Sequence, residues 1–249
     1  SQLSAVSLPK IASINDGLFT GCTALDILNL SSNVNYIGEA AFERCTNLTT
    51  MGFESVISIG MSAFKECTLL SQVDFPNVIS IGYSAFHSCH ALQSVSFGKI
   101  TTINMNTFAY CYSLESVNCP NVISIYDYAF SNCRILSEIS FPSATYLGPG
   151  VFANCSRLET INLPGVTYIG PYAFAGCVSL SSVSFSNVNN LGDHAFTNCN
   201  NLQSVNLPKI SSVAPGTFAY CSSLITLSLS TAVTYIDYAA FRGRYKLPT

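Results

Sequence analysis

Ten of the eleven cysteines fall three residues after a phenylalanine: Cys22, Cys45, Cys67, Cys89, Cys111, Cys133, Cys155, Cys177, Cys199 and Cys221. Thiols in number suggest disulfides, zinc or a nucleophile. Disulfide-dense chains are usually small domains without a core, whereas this chain has 249 residues, 49% of them hydrophobic. Side chains at equivalent places in successive units point in parallel and not at one another, and no unit holds the closely spaced cysteine pair that a tetrahedral zinc site uses. The spacing therefore predicts free, buried thiols that pack as small hydrophobes. His87-Ser88-Cys89-His90 has metal-binding residue types, but Cys89 belongs to the core-facing column and the histidines flank it at variable positions, so no metal site is assigned.

Catalytic constellations are missing. There is no Gly-x-Ser-x-Gly, no phosphate loop and no pair of carboxylates in an irregular segment, and His194 beside Asp193 has no third group to orient it. No inserted loop offers a water-excluding pocket. No catalytic residue and no cofactor is assigned, and an enzyme is not expected.

Binding candidates remain. Glu115, Arg134, Glu138, Arg157 and Glu159 gather in adjacent units; they read either as a binding patch or as surface ion pairs, each worth less than about 1 kcal/mol. Tyr126, Tyr128 and Tyr172 stand out among tyrosines concentrated mid-chain, together with Tyr110, Tyr112, Tyr146 and Tyr168. Tyrosine gives rigid contact area with a polar tip, which suits an interface or a sugar platform; the alternative is rings that shield outer loops. Two polar columns, from Asp26 and Thr49 to Gln203 and from Asn29 and Gly52 to Asn206, are expected on the solvent side of strands. They are able to hydrogen-bond a glycan or an extended peptide, or merely to be solvated. Asn29, Asn47 and Asn154 open glycosylation sequons, which matter only in a eukaryotic secretory pathway.

The frame that must position these groups is a repeat. Phenylalanine recurs at Phe19, Phe42, Phe64, Phe86, Phe108, Phe130, Phe152, Phe174, Phe196, Phe218 and Phe241, at a period of 22 or 23 residues. A period held through a whole chain marks units that bury their apolar faces only against their neighbours. An aliphatic residue lies five before each Phe, a leucine six after, and aliphatic or aromatic residues nine and eleven after, often followed by proline. The last two positions alternate with polar ones, so segments such as Leu92–Phe97 read as short strands. Eleven parallel rungs at roughly 4.8 Å each predict a sheet on the order of 50 Å long, with the Ala-Phe-x-x-Cys stretch as a turn or short helical piece opposite.

The unit Leu-x-x-Val-x-Phe-Pro-x-Val-x-x-Ile-x-x-x-Ala-Phe-x-x-Cys resembles the BspA-like, treponemal class of leucine-rich repeat, over essentially the whole chain. The resemblance implies a right-handed solenoid of about eleven repeats with a parallel β-sheet on its concave face. It further implies a cell-surface or secreted protein of host-associated bacteria or protists, often an adhesin, with no shared catalytic residue. The period is mostly 22, one shorter than the family's usual unit; Cys119 replaces the strand Phe or Leu, and Gly98 and Ser186 replace the proline.

No composition shift divides residues 1–249, which read as one solenoid domain. Ser1 in place of Met, the absence of a signal-peptide pattern, and the decay of the repeat at Arg242–Lys246, where Arg244 takes the cysteine position, suggest a piece of a longer surface protein. Charged residues are 9% and the net charge is −3, which disfavours nucleic acid and anionic membrane as partners. No apolar run approaches the roughly 20 residues of a membrane span. The expected function is a non-enzymatic surface or secreted module binding host protein or glycan. The alternatives are a spacer array presenting another domain and an intracellular scaffold, with end-to-end self-association as a further expectation.

Overall fold

The computed structural model describes residues 2–243, which form 22 short strands and no helix. Each coil contributes one strand to each of two sides. The first side holds β1 (Ala5–Leu8), β3 (Ile27–Leu30), β5 (Thr50–Gly52), β7 (Gln72–Asp74), β9 (Ser94–Ser96), β11 (Ser116–Asn118), β13 (Glu138–Ser140), β15 (Thr160–Asn162), β17 (Ser182–Ser184), β19 (Ser204–Leu207) and β21 (Thr226–Leu229). The second holds β2 (Ser13–Ile14), β4 (Tyr36–Ile37), β6 (Ser58–Ile59), β8 (Ser80–Ile81), β10 (Thr102–Ile103), β12 (Ser124–Ile125), β14 (Tyr146–Leu147), β16 (Tyr168–Ile169), β18 (Asn190–Leu191), β20 (Ser212–Val213) and β22 (Tyr235–Ile236). Pairing is parallel throughout and joins equivalent residues of successive coils, such as Val95 with Val117 and Ile125 with Leu147. The eleven rungs are as expected. The second strand of each coil is an addition: two residues are too few to show a period.

On the third side the Ala-Phe-x-x-Cys stretch is a turn, and alternate amides pair it to the next coil. Tyr128, Phe130 and Asn132 donate N–H to the carbonyls of Pro149, Val151 and Ala153 at 2.8–2.9 Å. This geometry places a left-handed residue two before and two after each Phe from Phe19 to Phe218. Glycine fills some of these places, yet Tyr128 (φ 55°), Asn132 (φ 63°) and Tyr172 (φ 57°) fill others. A left-handed L-residue costs roughly 1–2 kcal/mol, so the ladder holds these positions against local preference.

Inside, the repeat phenylalanines stack in one column with centroids 5.2–5.7 Å apart, from Phe19 to Phe241. Beside them all eleven cysteines are buried and free. Each ladder thiol from Cys45 to Cys221 donates to the carbonyl of the Phe one coil back, for example Cys133 Sγ to Phe108 O at 3.2 Å. The thiol thus fills space and occupies a carbonyl that a methyl group would leave half-satisfied. Arg244, where that column was expected to end, lies outside the described residues.

Four residues before the Phe most coils carry glycine, because the backbones approach closely at that corner. A Cβ on Gly60 would sit 2.6 Å from Glu39 N, and one on Gly82 would press on Met61 N, whereas one on Gly98, elsewhere in the coil, would meet nothing within 4 Å. Gly82→Ala is therefore expected to destabilise by about 1–3 kcal/mol through overpacking, and Gly98→Ala to be neutral or slightly stabilising. Urea melts of the two variants check this; equal midpoints would remove the close approach as the reason for the glycine column.

Neither sheet is the unbroken 50 Å ribbon expected. The first side is laddered in pairs, β1–β3, β5–β7, β9–β11 and β13–β15, then the triplet β17–β19–β21. From the fifth coil on, the breaks follow a two-coil alternation. Phe97, Phe141 and Phe185 donate their N–H to Asn118, Asn162 and Asn206 of the following coil at 3.0–3.1 Å, and those asparagines return Nδ2 to Ser96, Ser140 and Ser184 at 2.8–3.1 Å. The intervening coils place Cys119, Leu163 and Leu207 where the Phe would be. The second side runs β2 to β8, β10 to β18, and β20–β22. Both its breaks fall at coils whose corner glycine is replaced, by Asn104 and by Ala214, although Tyr126 and Asp237 replace it without a break.

Candidate functional site

The exposed face of the first side carries, within its strands, Ser94 and Ser96, Ser116 and Asn118, Glu138 and Ser140, Thr160 and Asn162. The second polar column expected from the sequence is here. The first, including Glu115 and Glu159, lies one residue ahead of the strands, and the residues that take its place on the strand face are Ser94, Ser116, Glu138 and Thr160. A slip of one residue arises because two exposed residues, such as Gln93 and Ser94, separate the buried Leu92 from the buried Val95.

Glu115, Glu138, Glu159, Arg134 and Arg157 are all exposed and do not pair with one another. The ion pairs among the described residues are elsewhere, Arg44–Glu66 at 2.9 Å and Lys65–Glu43 at 3.3 Å. Arg134 instead lies over the Tyr112 ring, its Cζ 4.5 Å from the centroid, and His90 stacks on the same ring at 4.7 Å. This cation–π contact is worth roughly 0.5–1 kcal/mol where exposed. His87 packs against Tyr110 at 5.3 Å, and burial, reinforced by Lys65, holds its pKa below the usual histidine value. The histidines of the His-Ser-Cys-His run thus turn outward to tyrosines while Cys89 turns inward.

The three candidate tyrosines divide between two places. Tyr128 and Tyr172 sit on the turn side at the left-handed position, where the Tyr128 ring covers Gly150 and the Tyr172 ring stacks on His194 at 4.9 Å. Tyr126 belongs to the second side. It occupies the corner position and tilts against Tyr146, centroids 5.7 Å apart, which in turn stacks on Tyr168 at 4.9 Å. All three are exposed, between 41% and 45%.

Tyr126 also borders a feature that sequence reading missed. Ile57, Met61, Ile79, Tyr83, Met105 and Ile123 are all exposed, and all lie just before or just after the short second-side strands of the third to sixth coils. Within these coils the same two columns also hold Thr101 and Asp127, and farther along Thr145, Thr167 and Asn189, and Pro149, Pro171 and Asp193. Within the patch, at the break between β8 and β10, is a cavity of about 360 Å³ lined by Ile79, Ser80, Ile81, Tyr83, Thr101, Thr102, Asn104 and Tyr126. The signal for it was present: the corner glycines Gly38, Gly60 and Gly82 stop at Asn104 and Tyr126 and resume at Gly148.

Comparison with known proteins decides the family. The model of the BspA type leucine-rich repeat region, six copies long, matches residues 1–115, 53–159, 101–208 and 145–249, which leaves no part of the chain uncovered. The chain belongs to the BspA-type leucine-rich repeat family. Among solved structures it is similar to a leucine-rich cell surface protein of Faecalibacterium prausnitzii, 27% identical, covering 94% of this chain and 74% of that one with a TM-score of 0.65. A leucine-rich repeat protein of Bacteroides ovatus is 22% identical over 99% of this chain and 78% of that one, TM-score 0.63. The pneumococcal vaccine antigen PcpA, 16% identical over 94% and 67%, TM-score 0.53, shares the fold. No curated protein matches. BspA-type repeats are interaction scaffolds and not enzymes as a family, and no helix of the described residues is long and apolar enough to cross a membrane.

Proposed function

We propose that this chain is a non-enzymatic, adhesin-like module of a cell-surface or secreted protein, which binds a host protein or glycan through its second side and the adjoining tyrosines. The observation that carries this reading is the concentration of exposed Ile, Met and Tyr on one flank of four coils. A largely apolar patch on a polar solenoid, with Thr101 and Asp127 as its polar members and tyrosines at its border, has the composition of a binding surface. A spacer has no use for it. The cell-surface protein of F. prausnitzii supports the location.

The test replaces Tyr126, Tyr128 and Tyr172 with serine. Serine already occupies the left-handed position of Tyr128 and Tyr172 in other coils, as Ser62 (φ 54°) and Ser84 (φ 56°), so folding should survive and the melting temperature should hardly move. Binding to host cells or to a glycan array is expected to weaken by about thirtyfold or more, the effect of losing about 2 kcal/mol at an aromatic hot spot. Undiminished binding would take the tyrosines out of the site.

A further inference from the structure

We propose that the break between β8 and β10 is a binding cleft for an uncharged saccharide; the proposal rests on the interaction reading and names the ligand class of that site. The break is built and not incidental. In the preceding coils the corner glycine donates its backbone N–H to the core isoleucine of the coil before, Gly60 to Ile37 O at 2.7 Å and Gly82 to Ile59 O at 2.8 Å. At the next coil Asn104 makes the equivalent bond with its side chain, Nδ2 to Ile81 O at 2.7 Å. A side chain at this corner does not by itself part the strands, since Tyr126 keeps its backbone N–H on Ile103 O at 2.9 Å; what distinguishes Asn104 is that its side-chain amide takes the carbonyl in place of the backbone. The carbonyl is satisfied, the two strands part, and the space between them becomes the cavity.

Its lining selects the ligand. Tyr83 and Tyr126 come from the fourth and sixth coils and border the opening from either side, both exposed, at 55% and 41%. Between them Ser80, Thr101, Thr102 and Asn104 supply hydroxyl and amide groups. A pyranose has this dual character: apolar C–H faces that pack on tyrosine rings, and a rim of hydroxyls that pair with Ser, Thr and Asn. A purely apolar side chain would desolvate those hydroxyls and the amide without replacing their hydrogen bonds. An anionic ligand would find no Lys, Arg or His among the lining residues. The volume is in the lower part of the range of small-molecule pockets, suited to one or two sugar units. The opening at β5 and β7 on the first side, about 500 Å³, differs in both respects: it has no tyrosine and carries Asp74.

Calorimetric titration of the intact chain with uncharged gluco-, manno-, galacto- and N-acetylglucosamine oligosaccharides tests the proposal, repeated with Asn104→Gly and Tyr83→Ala. At least one series should bind. Asn104→Gly restores the corner glycine, lets the backbone N–H take the Ile81 carbonyl and closes the cleft; Tyr83→Ala removes an exposed wall without touching the core. Each should weaken binding by about tenfold or more, Asn104→Gly with an unchanged or raised melting temperature. Binding that survives both substitutions, or no binding of any neutral series at millimolar concentration, overturns the cleft assignment. In the latter case a chain that still captures host cells leaves the interaction reading standing, whereas one that captures neither loses that reading as well.

Discussion

Phe130→Ala is expected to destabilise the chain by about 3–5 kcal/mol, whereas Phe241→Ala should cost clearly less. A buried Phe-to-Ala change loses the transfer free energy of the ring and leaves a cavity whose cost depends on how far the surroundings collapse. At Phe130 they cannot collapse easily. The ring is fully buried between Phe108 at 5.4 Å and Phe152 at 5.5 Å, with Phe141 tilted against it at 5.9 Å, and those rings are fixed by coils hydrogen-bonded to their own neighbours. Phe241 is half-buried and stacks on Phe218 alone among the described residues, at 5.6 Å. In a linear array stability is close to a sum of repeat and nearest-neighbour terms, so a central lesion removes two interfaces and a peripheral one removes one. Urea melts of both variants decide it. Equal losses would mean that the column is not a stack of equivalent interfaces.

The fold was legible because repetition multiplies weak signals: one Ala-Phe-x-x-Cys means little, and ten in register leave a solenoid as the reading. What depends on differences between repeats was less legible. The two-coil alternation was visible in the column Ser96, Asn118, Ser140, Asn162, Ser184, Asn206, but its consequence, a ladder broken every second coil, depends on hydrogen-bond directions that residue types do not give. The left-handed places of Tyr128 and Tyr172 were hidden for another reason. Glycine is the usual marker of positive φ, and here asparagine, serine, tyrosine and histidine share the position with it. Arg134 stood among carboxylates in sequence, and the column it belongs to, His90, Tyr112, Arg134, gave it an aromatic partner instead. The cleft was overlooked because a missing glycine is conspicuous only once the glycine column is known to be a contact between backbones.

Alkaline pH should unfold this chain earlier than its core would suggest. Burial raises the pKa of nine thiols: Cys45, Cys119 and Cys155 are pushed up to about 12, and Cys67, Cys89, Cys111, Cys133, Cys177 and Cys199 also rise. In the unfolded chain the same thiols ionise near the ordinary value of about 8.5. A group whose folded pKa is raised gives its full stabilisation below the unfolded pKa and loses it as pH climbs towards the folded one, because only the unfolded state releases the proton. Each thiol then withdraws about 1.4 kcal/mol per pH unit, and nine together roughly 12 kcal/mol per pH unit. That is comparable with the whole stability of an ordinary domain, about 5–15 kcal/mol. The urea midpoint should hold from pH 6 to 8 and then collapse within about two units above the ordinary thiol value. Thiol reagents at neutral pH should meanwhile find few reactive groups in the native chain and all eleven after denaturation without reductant, since every cysteine is buried and free. A midpoint flat across the alkaline window, or few thiols even when denatured, would mean that these sulfurs are not the buried, protonated donors that join each Phe carbonyl to the next coil.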